Sequence, residues 1–105
     1  MFIGEYYRAP INRQGESIER FLDDEGATHL LIIDPQLGKT LIPYLELKYR
    51  YEDLQCEVRV VMNNITTIYE SPNEGYPKTI YIHPVMDEYA RSIMDEHSPI
   101  LAIFD

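Results

Sequence analysis

Leu45-Glu46-Leu47-Lys48-Tyr49-Arg50-Tyr51-Glu52-Asp53-Leu54-Gln55-Cys56-Glu57-Val58-Arg59-Val60 alternates apolar and polar residues on both sides of Glu52-Asp53. Side chains two apart on a strand share a face, so period two marks a half-buried strand. Folded about Glu52-Asp53, the stretch sets Tyr51 against Leu54, Tyr49 against Cys56, Leu47 against Val58 and Leu45 against Val60. The opposite face sets Glu46 against Arg59 and Lys48 against Glu57, complementary charge pairs worth ~0.2–1 kcal/mol each. One register satisfies both faces, so the spacing predicts an antiparallel hairpin. Its turn lacks the Asn-Gly or Gly that two-residue loops favour. A rival reading starts a helix at Pro43 and runs it to Gln55, with Tyr44, Leu47, Tyr51 and Leu54 at helical spacing. Leu45 and Tyr49 leave that face, and the helix ranks second.

Upstream, residues 2–7 read as a short strand that ends before Ala9-Pro10. A helix of about a dozen residues follows, capped by Asn12 and carrying Ile18, Phe21 and Leu22 as its apolar stripe. Gly26 stands where that helix should stop, just past Asp23-Asp24-Glu25. Those three acids lie at the negative end of the helix, which is mildly unfavourable. Residues 28–33 are apolar, rich in β-branched side chains and closed by Asp34-Pro35, the pattern of a buried central strand.

Downstream, residues 65–69 and 79–82 read as further strands. The segment Ser71-Pro72-Asn73-Glu74-Gly75-Tyr76-Pro77 between them is loop chemistry and a candidate binding loop. Pro84 is expected to open a second helix, with His83 as its cap and Met86, Tyr89, Ala90, Ile93 and Met94 on its buried face. Asp87, Arg91 and Asp95 recur every four residues, as in a solvated ion-pair ladder. Residues 100–104 form a last strand. The expectation is a single α+β domain over residues 1–105, with a mainly antiparallel sheet of five or six strands packed by two helices.

Composition bounds the function. The 105 residues suit one domain, and 45% hydrophobic with 26% charged residues excludes bulk disorder. Eighteen acidic against nine basic residues give a net charge of -9, which repels phosphate backbones and anionic lipid heads. Nucleic acid and membrane surfaces are therefore disfavoured partners, and no apolar run approaches the ~20 residues of a membrane span. The start, from Met1 to Glu5, has no secretory character, so a cytoplasmic setting is expected. One cysteine excludes an internal disulfide and the cysteine clusters of structural zinc. Nine of the twelve aromatic residues are Tyr, whose apolar ring and polar tip suit interfaces.

Motifs for chemistry are sparse. Gly38-Lys39-Thr40 spells the end of a P-loop, but Ile33 stands where its first glycine is required. Asn64-Ile65-Thr66 is a glycosylation sequon by spelling. Cys56 falls on the apolar face of the expected hairpin, where a thiol is inert packing. Histidines 29, 83 and 97 lack metal-ligand spacing.

One constellation is richer. Asp34 ends a strand, and Glu46 and Lys48 share a face of the next one. Asp34 and Glu46 would share a divalent cation, Mg or Mn, with Lys48 orienting a nucleophile and Glu16 or Glu19 adding a ligand. This order resembles the PD-(D/E)xK nuclease superfamily, although Pro35 follows Asp34 where the family's proline precedes its Asp. The resemblance implies a metal-dependent nuclease acting through Asp34, Glu46 and Lys48. The cross-strand partners Arg59 and Glu57 explain Glu46 and Lys48 equally as a solvated sheet face. The favoured expectation is therefore a small acidic protein acting by protein–protein interaction, as a regulator, inhibitor or accessory subunit, without a cofactor. Its binding residues would be Tyr49, Tyr51, Asn73, Glu74 and Tyr76, and an exposed sheet edge would permit a homodimer.

Overall fold

The computed structural model describes residues 6–9, 14–34, 55–97 and 99–104. Their elements run β1 (Tyr6–Ala9), α1 (Gln14–Asp23), β2 (His29–Ile33), β3 (Val58–Met62), β4 (Ile65–Tyr69), β5 (Lys78–His83), α2 (Glu88–His97) and β6 (Ile100–Phe104). All six strands join one sheet in the order β1-β6-β2-β5-β3-β4.

β2 shows why the sheet is built this way. Its residues Leu30, Leu31, Ile32 and Ile33 are all buried, because both faces of the strand are covered. Leu30 and Ile32 join Ile18 and Phe21 of α1 in one core, with Val58, Val60, Ile80 and Ile82 from the neighbouring strands. Leu31 and Ile33 join Ala90 and Ile93 of α2 in a second core, with Leu101 from β6. The two helices thus lie on opposite faces, and the near-continuous apolar run of β2 is what a doubly covered strand needs.

The domain combines two helices with one mixed sheet, as α+β composition requires, but the expected antiparallel sheet is corrected. β1 pairs parallel with β6, and β2 pairs parallel with both β6 and β5. β3 pairs parallel with β5, and only the β3–β4 pair is antiparallel. The cause is connectivity. A helix between two strands carries the chain back to the end of the sheet where it started, so the next strand runs in the same direction. That happens twice, through α1 and through α2.

The hairpin expected over residues 45–60 is corrected as well. Residues 45–54 lie outside the described residues, yet β3 has no side left for them. Val58 sits between Tyr69 and Lys78, and Val60 between Thr67 and Ile80. Gln55 and Cys56 form a bend rather than strand. The hairpin belongs instead to β3 and β4. Asn63 and Asn64 join them with φ of 51° and 64°, the pair of left-handed residues a type I′ turn requires. Arg59 pairs with Glu57 two residues before it, at 2.7 Å, and Glu46 lies outside the described residues.

α2 starts later than Pro84 suggests. Asp87, not His83, is its cap: Oδ1 accepts hydrogen bonds from the backbone N–H of Tyr89 at 2.9 Å and of Ala90 at 3.2 Å. His83 supports the cap from β5, with Nε2 2.9 Å from Asp87 Oδ2. Asp87 is thereby committed to the cap rather than to the expected ladder with Arg91. Met86 precedes the helix and Tyr89 lies in its first turn, so both are exposed, contrary to expectation, while Ala90 and Ile93 are buried.

Candidate protein-interaction surface

The Asn63-Asn64 turn delivers β4 to the rim of the sheet, where it is the last of the described strands. Its sequence, Ile65-Thr66-Thr67-Ile68-Tyr69, carries no charge. Alternation places Tyr69 in the core, while Ile68 points to the opposite face and is 49% exposed. Ile65, beside the turn, is 67% exposed. A rim strand offers backbone donors and acceptors on its outer side, and natural proteins commonly guard such rims with Lys, Pro or bulges. β4 has none of these.

The chain then runs directly into the Ser71–Pro77 loop. Ser71 Oγ accepts the backbone N–H of Asn73 at 3.0 Å, a local turn bond. Gly75 lies so close to the lead-in of β3 that an added Cβ would stand 2.7 Å from the Gln55 carbonyl oxygen and 2.9 Å from Cys56 Cβ. The loop is therefore pinned at Gly75. Beyond that pin Tyr76 projects its ring into solvent, 83% exposed, with Asn73 and Glu74 also exposed. Of the sequence-derived binding residues, the structure thus brings Asn73, Glu74 and Tyr76 together on one loop. Tyr49 and Tyr51 lie outside the described residues.

The acidic constellation fares differently. Asp34 is 1% exposed at the C-terminal end of β2, and its backbone N–H donates to the carbonyl of His83 at 3.2 Å. Glu46 and Lys48 lie outside the described residues. The two sides of β2 are occupied by β5 and β6. Among the described residues, no group of three or more His, Cys, Asp or Glu side chains gathers as a metal site would require.

Sequence reasoning passed over Lys78, which is 6% exposed. Its Nζ donates to the carbonyls of Phe21 and Asp24, both at 2.6 Å, and sits 4.8 Å from the centre of the Phe21 ring. Burial lowers its pKa, while Cys56, Asp24, Asp23 and Glu25 push the other way. The cation belongs to the end of α1, where three consecutive acids face the negative pole of the helix. No local signal in the sequence pairs residue 78 with residues 21–25. Cys56 is buried in the α1-side core, and burial pushes its thiol pKa up, as expected for inert packing.

Among the described residues, no helix is long and apolar enough to cross a membrane. Compared with known protein families, curated proteins and solved structures, the chain matches none.

Proposed function

We propose that the protein works by binding another protein, as a regulator, inhibitor or accessory subunit in the cytoplasm, through the continuous stretch from Ile65 to Pro77. The observation that carries this reading is an uncharged rim strand leading into a pinned loop with a tyrosine ring held out in solvent. An extended segment of the partner adds to β4 by backbone hydrogen bonds, and Ile68 and Tyr76 supply side-chain anchors. Tyr is well suited to that role, since it offers a large rigid contact with a polar tip. The net charge of -9 favours a partner whose segment is flanked by Lys or Arg, and such binding weakens as salt rises.

The test uses wild type, Ile68→Lys and Tyr76→Ala, both substitutions lying on exposed side chains. Each is used to capture partners from cell extract at low and high salt. Hydrogen exchange of the β4 amides is then followed in the recovered complex. The expected result is a partner held by wild type, lost with Ile68→Lys, weakened by Tyr76→Ala and by salt, with slowed exchange along β4. A partner held equally by all three proteins, or bound without slowing β4, overturns the reading. A homodimer through the same rim is the second possible occupant. Sedimentation separates it, because two chains of like charge associate more strongly as salt is added.

The alternative function, a nuclease using Mg or Mn at Asp34, Glu46 and Lys48, draws support from the place of Asp34 at the carboxyl end of a central parallel strand, where open α/β sheets bind ligands. Its test is the manganese titration described below.

A further inference from the structure

The chain has three histidines, and each meets one end of α2. At the first turn, His83 Nε2 lies 2.9 Å from Oδ2 of the capping residue Asp87. The His83 ring also sits beside the Tyr89 ring, with centroids 5.0 Å apart. At the last turn, the ring of His97 stacks on that of His29 from β2, with centroids 4.1 Å apart and planes within 8°. Tyr81 of β5 flanks both rings, 5.9 Å from His97 and 6.3 Å from His29. The groups facing His29 are His97 and Glu96 from α2, Tyr81 from β5, and the Thr28 hydroxyl, whose Oγ1 lies 2.8 Å from Nδ1. His97 has Glu96 within 3.7 Å of Nε2.

Two rings at this separation tolerate one positive charge, since an imidazolium over a neutral imidazole is attracted to its π-face. Two charges repel across a gap of 4.1 Å between ring centres. At the first turn, Asp87 holds the N–H groups of Tyr89 and Ala90 through Oδ1 and meets His83 through Oδ2. A second proton in the stack drives the last turn away from β2. We propose that α2 is a hinged, acid-responsive helix, whose last turn is released from the sheet when both rings of the His29–His97 stack are protonated, while the Asp87 cap holds its first turn.

Burial, then the neighbouring His97, holds the His29 pKa below its ordinary value, with Glu96 opposing. The unfolded chain therefore takes the proton first. Stability falls as pH drops from about 6.5 through the depressed His29 value and levels off below it. The hydrogen bond from His83, followed by the backbone amide of Ala90, holds the Asp87 carboxyl below its ordinary pKa, so the cap keeps its charge through the same window. This inference does not rest on the partner reading above.

The experiment is residue-resolved amide exchange at pH 7 and pH 5, corrected for intrinsic rates, on wild type and His29→Phe. Phenylalanine keeps a flat ring in the stack and takes no proton. In wild type, the amides of residues 95–97 should gain in exchange at pH 5 relative to those of residues 88–91. His29→Phe should abolish that gain. His97→Phe serves equally should His29→Phe fail to fold, since either change leaves a single proton site. An even change along α2, or the same gain in a variant, overturns the hinge.

Discussion

Replacing Lys78 by methionine tests whether a cation from β5 completes α1. The substitution preserves the length and apolar stem of a side chain that is 6% exposed, so packing changes little. It removes two hydrogen bonds of 2.6 Å to the carbonyls of Phe21 and Asp24. Hydrogen bonds involving a charged group are worth about 1.5–3 kcal/mol each. Two effects reduce the sum. The Phe21 carbonyl also accepts from Asp24 N at 3.3 Å and the Asp24 carbonyl from Ala27 N at 3.1 Å, so neither is orphaned. Methionine also escapes the desolvation that charged Lys78 bears. The net loss should be about 2 kcal/mol, or about 10 °C in melting temperature for a domain of this size. Thermal melting at pH 7 followed by circular dichroism reads the total, and amide exchange in residues 20–23 shows whether the loss begins at the end of α1. A Lys78→Met protein that melts within about 2 °C of wild type, or above it, would refute the reasoning. The desolvation cost would then equal or exceed what the two bonds contribute.

Gly75→Ala should lower the urea midpoint by the equivalent of about 1–3 kcal/mol, because the new methyl group meets the Gln55 carbonyl and Cys56; an unchanged midpoint would free the loop from its pin. Asn64→Val should destabilise by about 1–2 kcal/mol at a φ of 64°, whereas Asn64→Gly should be neutral or stabilising, with equal effects of the two arguing against a left-handed turn. Cys56 should react with a thiol reagent no faster than the protein opens, and rapid labelling of the native protein would contradict its burial. Manganese should leave the melting temperature of wild type unmoved; a rise that Glu46→Gln abolishes, with cleavage of nucleic acid by the same samples, would move the function to the nuclease alternative.

What could be read from the sequence were the features that short stretches decide for themselves. β2 was visible as a continuous apolar run and α1 as the Ile18, Phe21 and Leu22 stripe, of which Ile18 and Phe21 are fully buried. β4, β5 and β6 were visible from β-branched runs bounded by turn residues. The pairing of strands was not, because register over residues 45–60 can be satisfied on paper while β4 and β5 take both sides of β3. The turn chemistry pointed the other way: Glu52-Asp53 suits a two-residue turn poorly, and Asn63-Asn64 suits it well. The candidate site divides on the same line. Asn73, Glu74 and Tyr76 are neighbours in sequence and share a loop. Lys78 finds its carbonyls 54 and 57 residues away, and His29 meets His97 only through the fold. Contacts of that kind leave no periodicity to read.

The position of β6 between β1 and β2 has a consequence for the birth of the chain. On the ribosome, β1, α1 and β2 emerge together, yet β1 and β2 share no edge; the strand that joins them is made after all the others. At synthesis rates of about 5–20 residues per second, the open slot beside β2 waits several seconds for Ile100–Phe104. During that wait Leu31 and Ile33 have neither Leu101 nor α2 to cover them. The same slot makes the protein a candidate for complementation in trans, in which a fragment lacking β6 is completed by a peptide spanning residues 99–105.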